Sequence, residues 1–328
     1  MIKAEKVKIS QLALILLIVI PGGKYLSLPS YMYSISGRDS WLSFLLLFVL
    51  DFVCFLFTLW AINLNRRGLS LNEILTRTLS PVGAKIIFAV FTVFCLLRVT
   101  VLLLGCVDLF SSTFVINTNW LAYIIPIALL VAVSLVQGVR NVARLTEMLF
   151  VFVMLALLSI IFLSLRSADF SNLRPFLDEG FKPLLEGSLD GSFWFADSVF
   201  LLFFLEKVEA PKKKDNVLLC VMLLIGILVT MALVVLYVAL FGNASGINGI
   251  AITKVSQFNI SNNSYGRLDW LSISIWMCSI FIKIIVLSFC AYSAIVWTVG
   301  YKKEKFNWWV FLSMVVPVIA LPLFFEME

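Results

Sequence analysis

Long uninterrupted apolar runs constrain the fold of this chain more than any other feature of its sequence. The apolar residues fall into runs of roughly twenty, which is the helix length needed to cross about 30 Å of hydrocarbon. Lipid offers no hydrogen-bond partner to backbone N–H and C=O groups, so a spanning segment must satisfy them internally. The runs do not alternate between apolar and polar residues as membrane β-strands do. The chain is therefore predicted to be an all-α polytopic membrane protein.

The composition excludes a water-soluble fold. Hydrophobic residues make up 62% of the 328 positions and charged residues only 13%, whereas an ordinary globular domain is about 25% charged. The whole chain, residues 1–328, is predicted to be one transmembrane domain without a soluble domain. Nine spanning segments are expected at residues 11–35, 41–64, 84–110, 120–137, 142–165, 192–205, 217–241, 268–299 and 308–325.

Positively charged residues are concentrated in alternate loops between these segments. Loops rich in Lys and Arg are retained on the cytoplasmic side of a membrane. This pattern predicts a cytoplasmic N-terminus, an extracytoplasmic loop at residues 166–190, and Glu326 and Glu328 outside. The net charge of +6 fits loops beside anionic lipid and gives no indication of nucleic-acid binding. The basic residues are Lys3, Lys6, Lys8, Arg66, Arg67, Arg77, Arg140, Arg144, Lys207, Lys212, Lys213, Lys214, Lys302, Lys303 and Lys305.

The sequence lacks the residue patterns of common enzymes. It has no histidine, which is the usual general base and metal ligand, and no glycine-rich phosphate loop. Its six cysteines lie inside the predicted spans without CxxC spacing, and we interpret them as small apolar packing residues. We therefore expect no enzymatic activity, no metal and no cofactor.

The first span is interrupted near its midpoint by Pro21, Gly22, Gly23 and Lys24. Proline removes a helical hydrogen bond and paired glycines weaken the next turn, so a broken helix is predicted there. A second half-helix beginning near Lys24 would direct N–H groups and a positive dipole end toward an anion such as a carboxylate. The alternative is a proline kink that repacks against neighbouring helices.

Five ionisable residues lie deep inside predicted spans. Asp51, Arg98 and Lys283 are central in the second, third and eighth segments, Asp197 lies in the sixth, and Glu147 is near one end of the fifth. Each costs about 2.5–3.5 kcal/mol to insert, so these residues should face the bundle interior and pair. The structural interpretation is a set of ion pairs. The functional one assigns ligand binding to Lys283, Arg98 and Asp197 and ion coupling to Asp51 and Glu147.

The sixth segment is short and follows Gly187 and Gly191. If it is also broken, the pair of interrupted helices matches transporters built from inverted repeats, with the site at the membrane midplane. Residues 1–165 would form the first five-helix repeat and residues 191–328 a second, incomplete one. A continuous short sixth helix is the alternative, because the segment contains no internal proline or glycine.

Several local motifs, taken in order, resemble the spore-germination permease family. Each motif alone is loose, but together they run nearly from end to end. They are Leu28-Pro29; Ser36-Gly37-Arg38-Asp39-Ser40-Trp41-Leu42-Ser43; Gln137-Gly138-Val139; Ala143-Arg144-Leu145-Thr146-Glu147; Leu173-Arg174-Pro175; Glu179-Gly180; Lys182-Pro183; Arg267-Leu268-Asp269; and Trp276.

The resemblance implies a B subunit of a nutrient germinant receptor, within the amino acid–polyamine–organocation (APC) superfamily. It implies a LeuT-like fold of ten helices in two inverted repeats, partner A and C subunits, and the inner membrane of an endospore. Ligand recognition is implied at the breaks of helices one and six, flanked by helices three and eight. This sequence departs from the pattern in ending after a ninth segment and in placing Lys24 where backbone amides are expected to act alone.

The candidate ligand site combines these residues. In our hypothesis Lys24, with the amides of Gly22 and Gly23, holds an anionic ligand group or pairs internally with Asp197. Asp197 would otherwise receive a ligand ammonium group. The remaining walls are assigned to Phe193, Trp194, Phe195 and Arg98, and Lys283 is a further candidate ligand-binding residue. Two functions compete: a receptor subunit that senses an amino acid, and a proton- or sodium-coupled amino-acid transporter.

Overall fold

The computed structural model of the chain is a helical bundle. It describes residues 7–65, 68–113, 121–177, 180–208, 213–247, 251, 255, 269–300 and 306–325. The α-helices are α1 (Ile9–Val19), α2 (Leu28–Ser36), α3 (Ser40–Leu64), α4 (Leu71–Leu79), α5 (Pro81–Thr113), α6 (Leu121–Gln137), α7 (Val139–Leu165), α8 (Phe181–Gly191), α9 (Lys213–Phe241), α10 (Asp269–Val299) and α11 (Trp308–Phe325).

Helices coincide with every predicted segment that the structure describes. Six helical stretches are long and apolar enough to cross a membrane, and these are Leu28–Leu64, Pro81–Ser111, Val139–Leu165, Phe181–Lys207, Lys213–Gly246 and Met277–Val299. Three further apolar helices are shorter, at Ile9–Val19, Leu121–Gln137 and Trp308–Ala320. The polytopic all-α class is thus supported, while the count of nine crossings, the inverted repeat and the orientation stay predictions.

Some residues on which the sequence predictions depend lie outside the described part of the chain. Among the basic loop residues these are Lys3, Lys6, Arg66, Arg67, Lys212, Lys302, Lys303 and Lys305; among the motif residues they are Glu179, Arg267, Leu268 and the side chain of Trp276; and at the C-terminus they are Glu326 and Glu328.

The first helix is broken where the sequence predicts. Helix α1 ends at Val19, and α2 begins only at Leu28, four residues later than Lys24. The later start has a local cause, because Gly23 adopts a left-handed φ of 84° and Pro29 occupies the first turn of α2, where its missing N–H costs nothing. The eight residues between the helices pack against α5, α9 and α10, since Gly22 lies against Ser279 and Gly226 against Ile20.

The sixth segment begins earlier than predicted. The expected loop at residues 166–190 contains helix α8, which starts at Phe181. The glycines that look like loop signals instead allow close helix packing: a Cβ on Gly187 would collide with Ser36 Oγ, and one on Gly191 would lie 3.1 Å from Leu47 Cδ1. Ser36 and Ser43 also donate hydrogen bonds to the carbonyl oxygens of Pro183 and Leu184 in α8, at 2.9 and 3.0 Å.

The sixth segment is also broken, and the break contains no glycine or proline. After α8 and a short 3-10 turn, Phe195 is extended and Ala196 takes a left-handed conformation with φ 62° and ψ 30°. An eleven-residue 3-10 helix, Asp197–Lys207, follows. Runs of 3-10 helix longer than three or four residues are uncommon. The break therefore rests on tertiary contacts rather than on local helix breakers.

Hydrogen bonds join separate segments at both ends of the bundle. At the end where the chain begins, the Val7 N–H donates to the Lys207 carbonyl at 2.8 Å, and Gln11 Nε2 donates to Glu147 Oε2 at 2.9 Å. At the opposite end, Arg38 Nη1 donates to the Arg174 carbonyl at 2.9 Å. These hydrogen bonds thus link α1 to α7 at one end, and the 3-10 turn Gly37–Asp39 after α2 to the 166–177 stretch at the other.

Candidate functional site

Asp197 lies at the centre of a buried cluster of charges. Its Oδ2 atom accepts hydrogen bonds from Lys24 Nζ at 2.6 Å and from Lys283 Nζ at 2.9 Å. Its Oδ1 atom accepts from Arg98 Nη2 at 2.8 Å. One carboxylate therefore pairs with three cations at once. The predicted internal pairing of Lys24 with Asp197 is the arrangement found.

Each charged residue comes from a different part of the chain. Lys24 lies in the break between α1 and α2, and Asp197 is the first residue after the break in the sixth segment. Asp51, Arg98 and Lys283 lie near the midpoints of α3, α5 and α10. The cluster thus sits halfway along the long helices, which is the depth at which a charge is most expensive in a membrane.

Asp51 is the fifth member and the least well satisfied. Its Oδ2 atom is 3.9 Å from Lys24 Nζ and has no hydrogen-bond partner among the described residues. Its Oδ1 atom is 3.4 Å from the Ser198 hydroxyl, a weak contact. A buried carboxylate oxygen without a partner normally costs about 1–3 kcal/mol or more. The Oδ2 atom of Asp51 is therefore available to a ligand or a proton.

Aromatic rings cover one side of Lys24. The ammonium lies 4.7 Å from the centroid of Phe195 and 5.6 Å from that of Phe48. Phe195 packs edge-on against Phe44 and Phe48, with centroids 6.0 and 5.0 Å away. Ring faces attract cations most strongly when water is excluded. Phe195 therefore lies beside Lys24, while its contact with a ligand stays a prediction, and Phe44 and Phe48 are neighbours that sequence reasoning missed.

Backbone atoms exposed by the two breaks complete the site. Arg98 donates to the carbonyls of Phe195 and Trp194 at 3.2 and 3.0 Å, and Lys24 Nζ donates to the Ile20 carbonyl at 3.2 Å. The Gly22 N–H is occupied by the Ile18 carbonyl at 3.2 Å. The N–H groups of Gly23, Lys24 and Tyr25, in contrast, have no partner among the described residues.

Two candidate residues lie away from the charges. Phe193 is half-buried and packs on Phe94, whose ring is 5.6 Å from the Arg98 guanidinium, so Phe193 stands one layer outside the cluster. Glu147 is exposed near the start of α7 and bonds to Gln11. The ion-coupling role assigned to Glu147 stays a prediction, without support from proximity to Asp197.

A separate crevice opens between α5, α6, α10 and α11. Its walls are apolar, with Leu103, Ile127, Ile284 and Met314 among them and the Ser288 hydroxyl as the one polar side chain in its lining. Neither Arg98 nor Lys283 is among its lining residues. A polar ligand gains little there, so the charge cluster is the better candidate site.

The fold and site together define a polytopic α-helical membrane protein with a permease-like arrangement, in which two interrupted helices meet at buried charges. The sequence profile of the family described as "Spore germination protein" matches residues 6–326. The chain therefore belongs to the spore-germination permease family.

Two relatives come from bacilli. The chain is 23% identical to Spore germination protein XB of Bacillus anthracis over 260 residues, which cover 77% of this chain and 71% of that protein. It is 25% identical to Spore germination protein YndE of Bacillus subtilis (strain 168) over 166 residues, covering 48% of this chain and 44% of that protein. Both similarities agree with the family assignment.

Proposed function

We propose that this protein is the B subunit of a spore nutrient germinant receptor. In this role it binds a small germinant, an amino acid, at the buried charge cluster and signals germination through A and C partner subunits. It would reside in the inner membrane of the endospore with its N-terminus in the cytoplasm. Family membership supports the spore context, and the cluster between the two helix breaks supports the ligand site.

The observation that carries this proposal is the meeting of the two breaks at Lys24 and Asp197, 2.6 Å apart. A ligand that competes for either residue changes how the two interrupted helices are held together. Because Lys24 and Asp197 are buried, a ligand that reaches them must displace packed side chains. Binding at the cluster can therefore bias a conformational equilibrium that partner subunits read.

The test is a germination assay paired with an assembly assay. Spores carrying tagged wild-type chain or Lys24→Ala are challenged with single amino acids, and the chain is purified from spore membranes with its A and C subunits. We expect the wild type to co-purify with both partners and support germination, and Lys24→Ala to co-purify but respond poorly. A chain that supports germination without either partner would contradict the proposal.

A coupled amino-acid transporter is the second candidate, favoured by the unpartnered Asp51 oxygen beside the cluster. Coupled transport needs a buried group that gains and loses charge during the cycle, and Asp51 meets that description. Uptake of labelled amino acids by the purified chain in proteoliposomes, driven by a proton or sodium gradient, would favour this function. Equilibrium binding without uptake would favour the receptor.

A further inference from the structure

Helix α8 exposes a stripe of charged side chains. Lys182, Glu186 and Asp190 are all exposed, and their spacing of four residues places them along one side of the helix. On α7, in contrast, every exposed side chain after Glu147 is apolar. The surface of α7 is therefore suited to lipid, whereas the charged surface of α8 is not.

Packing against α3 fixes the depth of this stripe. A Cβ on Gly191 would lie 3.1 Å from Leu47 Cδ1, so these two residues are level. Leu47 precedes Asp51 by four residues, which is about 6 Å along an α-helix, and Asp51 lies near the middle of α3. The hydrocarbon core extends about 15 Å to each side of the membrane midplane. Asp190, next to Gly191, therefore lies at hydrocarbon depth, and Glu186 lies one turn closer to the surface.

Asp190 is the unbalanced charge of the stripe. The Lys182 ammonium is 3.7 Å from the Glu186 carboxylate, so these two charges offset each other. Asp190 has neither an ion pair nor a hydrogen bond within the described part of the chain. Ionisable side chains in membrane segments rarely face lipid and normally pair inside protein or line a water-filled space. The exposed Asp190 carboxylate therefore requires a polar neighbour from outside this chain's described residues.

An apolar stripe runs beside the charged one. Phe181, Leu185 and Leu189 are 68%, 51% and 72% exposed, while the opposite side of α8 packs on α2 and α3. Lipid suits the apolar stripe but not the carboxylate, and water suits the carboxylate but not three large apolar side chains. A protein helix that presents apolar side chains and one cation suits both stripes.

A second copy of this chain is a poor occupant of this surface. A two-fold contact between two α8 helices would place Asp190 opposite Asp190, and like charges in an interface repel. The exposed Lys and Arg side chains of the described helices lie within two turns of a helix end. They are thus unsuited to reach a carboxylate near Leu47, so the cation must come from a different protein.

We infer that α8 is the surface on which a membrane-spanning helix of a partner subunit docks. A Lys or Arg of that helix pairs with Asp190, and its apolar side chains cover Leu185 and Leu189. The inference rests on the proposed function in taking the partner to be the A or C subunit. It adds a place for the contact, on the same interrupted segment that carries Asp197 six residues beyond Gly191.

Photo-cross-linking in spore membranes identifies the occupant. A benzophenone amino acid is placed at Leu189 and, as a matched control, at Leu155, which is 59% exposed on the apolar side of α7. We expect the probe at Leu189 to join the A or C subunit within a membrane helix that contains Lys or Arg. The probe at Leu155 is expected to join lipid.

Charge substitutions test the pairing. Asp190→Lys should reduce the amount of partner that co-purifies with the full chain about tenfold or more, because it places like charges together. Asp190→Asn should cause a smaller loss, and Glu186→Gln, the control nearer the surface, should cause none. Replacement of the cross-linked partner's cation by Asp should restore co-purification with Asp190→Lys.

The isolated chain separates docking from a structural role. In lipid nanodiscs without partners, Asp190→Asn should leave the midpoint of thermal unfolding unchanged or raise it, because the wild-type carboxylate has no partner there. The same measurement on Asp190→Lys shows whether that variant is folded. If it is not, the loss of partner is read from Asp190→Asn against Glu186→Gln.

Four results would overturn the docking surface. They are cross-linking of Leu189 to lipid alone or to a second copy of this chain, unchanged co-purification in folded Asp190 variants, a lower unfolding midpoint for isolated Asp190→Asn, and labelling of Leu189→Cys in the assembled complex by a membrane-impermeant maleimide. Each of them leaves the proposed function standing if the wild-type chain still co-purifies with the A and C subunits. Germination supported without either partner contradicts the proposed function instead.

Discussion

Lys24 Nζ lies 2.6 Å from Asp197 Oδ2, so a single ion pair joins the break in the first helix to the break in the sixth. The residues are 173 positions apart in sequence. Neither would be held at this depth by its own segment, because each lies outside regular α-helix. The pair thus links the two irregular segments of the bundle to each other.

Removal of the central carboxylate should destabilise the protein strongly. Asp197→Asn leaves three buried cations around a neutral amide, and loss of one partner from a buried pair typically costs about 3–5 kcal/mol. We expect a large fall in the thermal unfolding midpoint in nanodiscs. The control is Glu186→Gln, which removes an exposed partner of Lys182 and should cost under about 1 kcal/mol. Equal effects of the two substitutions would argue against a buried cluster.

Gly23→Ala and Gly138→Ala form a matched pair. Both glycines have a φ of 84°, but a Cβ on Gly23 would collide with Leu102 whereas one on Gly138 meets nothing within 4 Å. Backbone strain alone should cost Gly138→Ala about 1–3 kcal/mol. Gly23→Ala should cost roughly 1–3 kcal/mol more from overpacking. In a Leu102→Ala background this extra cost of Gly23→Ala should be smaller, because the clashing side-chain atoms are absent. The unfolding midpoints of the single and double variants test this order.

Gly187→Ala should separate α8 from α2. A methyl group there would displace the Ser36 hydroxyl, which donates to the Pro183 carbonyl at 2.9 Å and lies 3.0 Å from the Ser43 hydroxyl. Loss of this packing and these hydrogen bonds should cost about 1–3 kcal/mol. In a Ser36→Ala background the same substitution should cost less, because the clashing atom is absent. A double-mutant cycle measures this coupling, and strictly additive effects would contradict the contact.

The substitution Arg98→Lys should lower the stability of the protein. Its guanidinium donates to Asp197 and to the carbonyls of Trp194 and Phe195 at once, a fork that an ammonium group cannot reproduce. We expect Arg98→Lys to cost about 1–3 kcal/mol, since it leaves buried acceptors unmatched. Arg38→Lys is the comparison, because Arg38 also donates to a backbone carbonyl, through an exposed hydrogen bond of a half-buried side chain. A larger loss of stability for Arg38→Lys would contradict this account.

Much of the architecture followed from sequence alone. Apolar runs of spanning length fix helices because lipid cannot satisfy backbone groups, so the segment at 217–241 appears as α9 with nearly the predicted bounds. The first break was likewise predictable, because Pro21 and the two glycines act locally. The capped helix α4 was missed although Ser70 and Glu73 form a capping box, with Glu73 Oε2 accepting from the Ser70 N–H at 2.8 Å.

The tertiary structure decided what composition could not. Ala196 becomes left-handed through its surroundings, so no local signal marks the sixth break. The sequence required that buried charges pair, since isolated charges are too costly in a membrane, but pairing depends on which helix faces which. Packing brings Lys24, Arg98 and Lys283 to the same carboxylate and leaves Asp51 beside them with an unmatched oxygen. Sequence therefore determined that the chain lies in a membrane. Long-range packing decided which charged side chains meet in its site and which polar atom there has no hydrogen-bond partner.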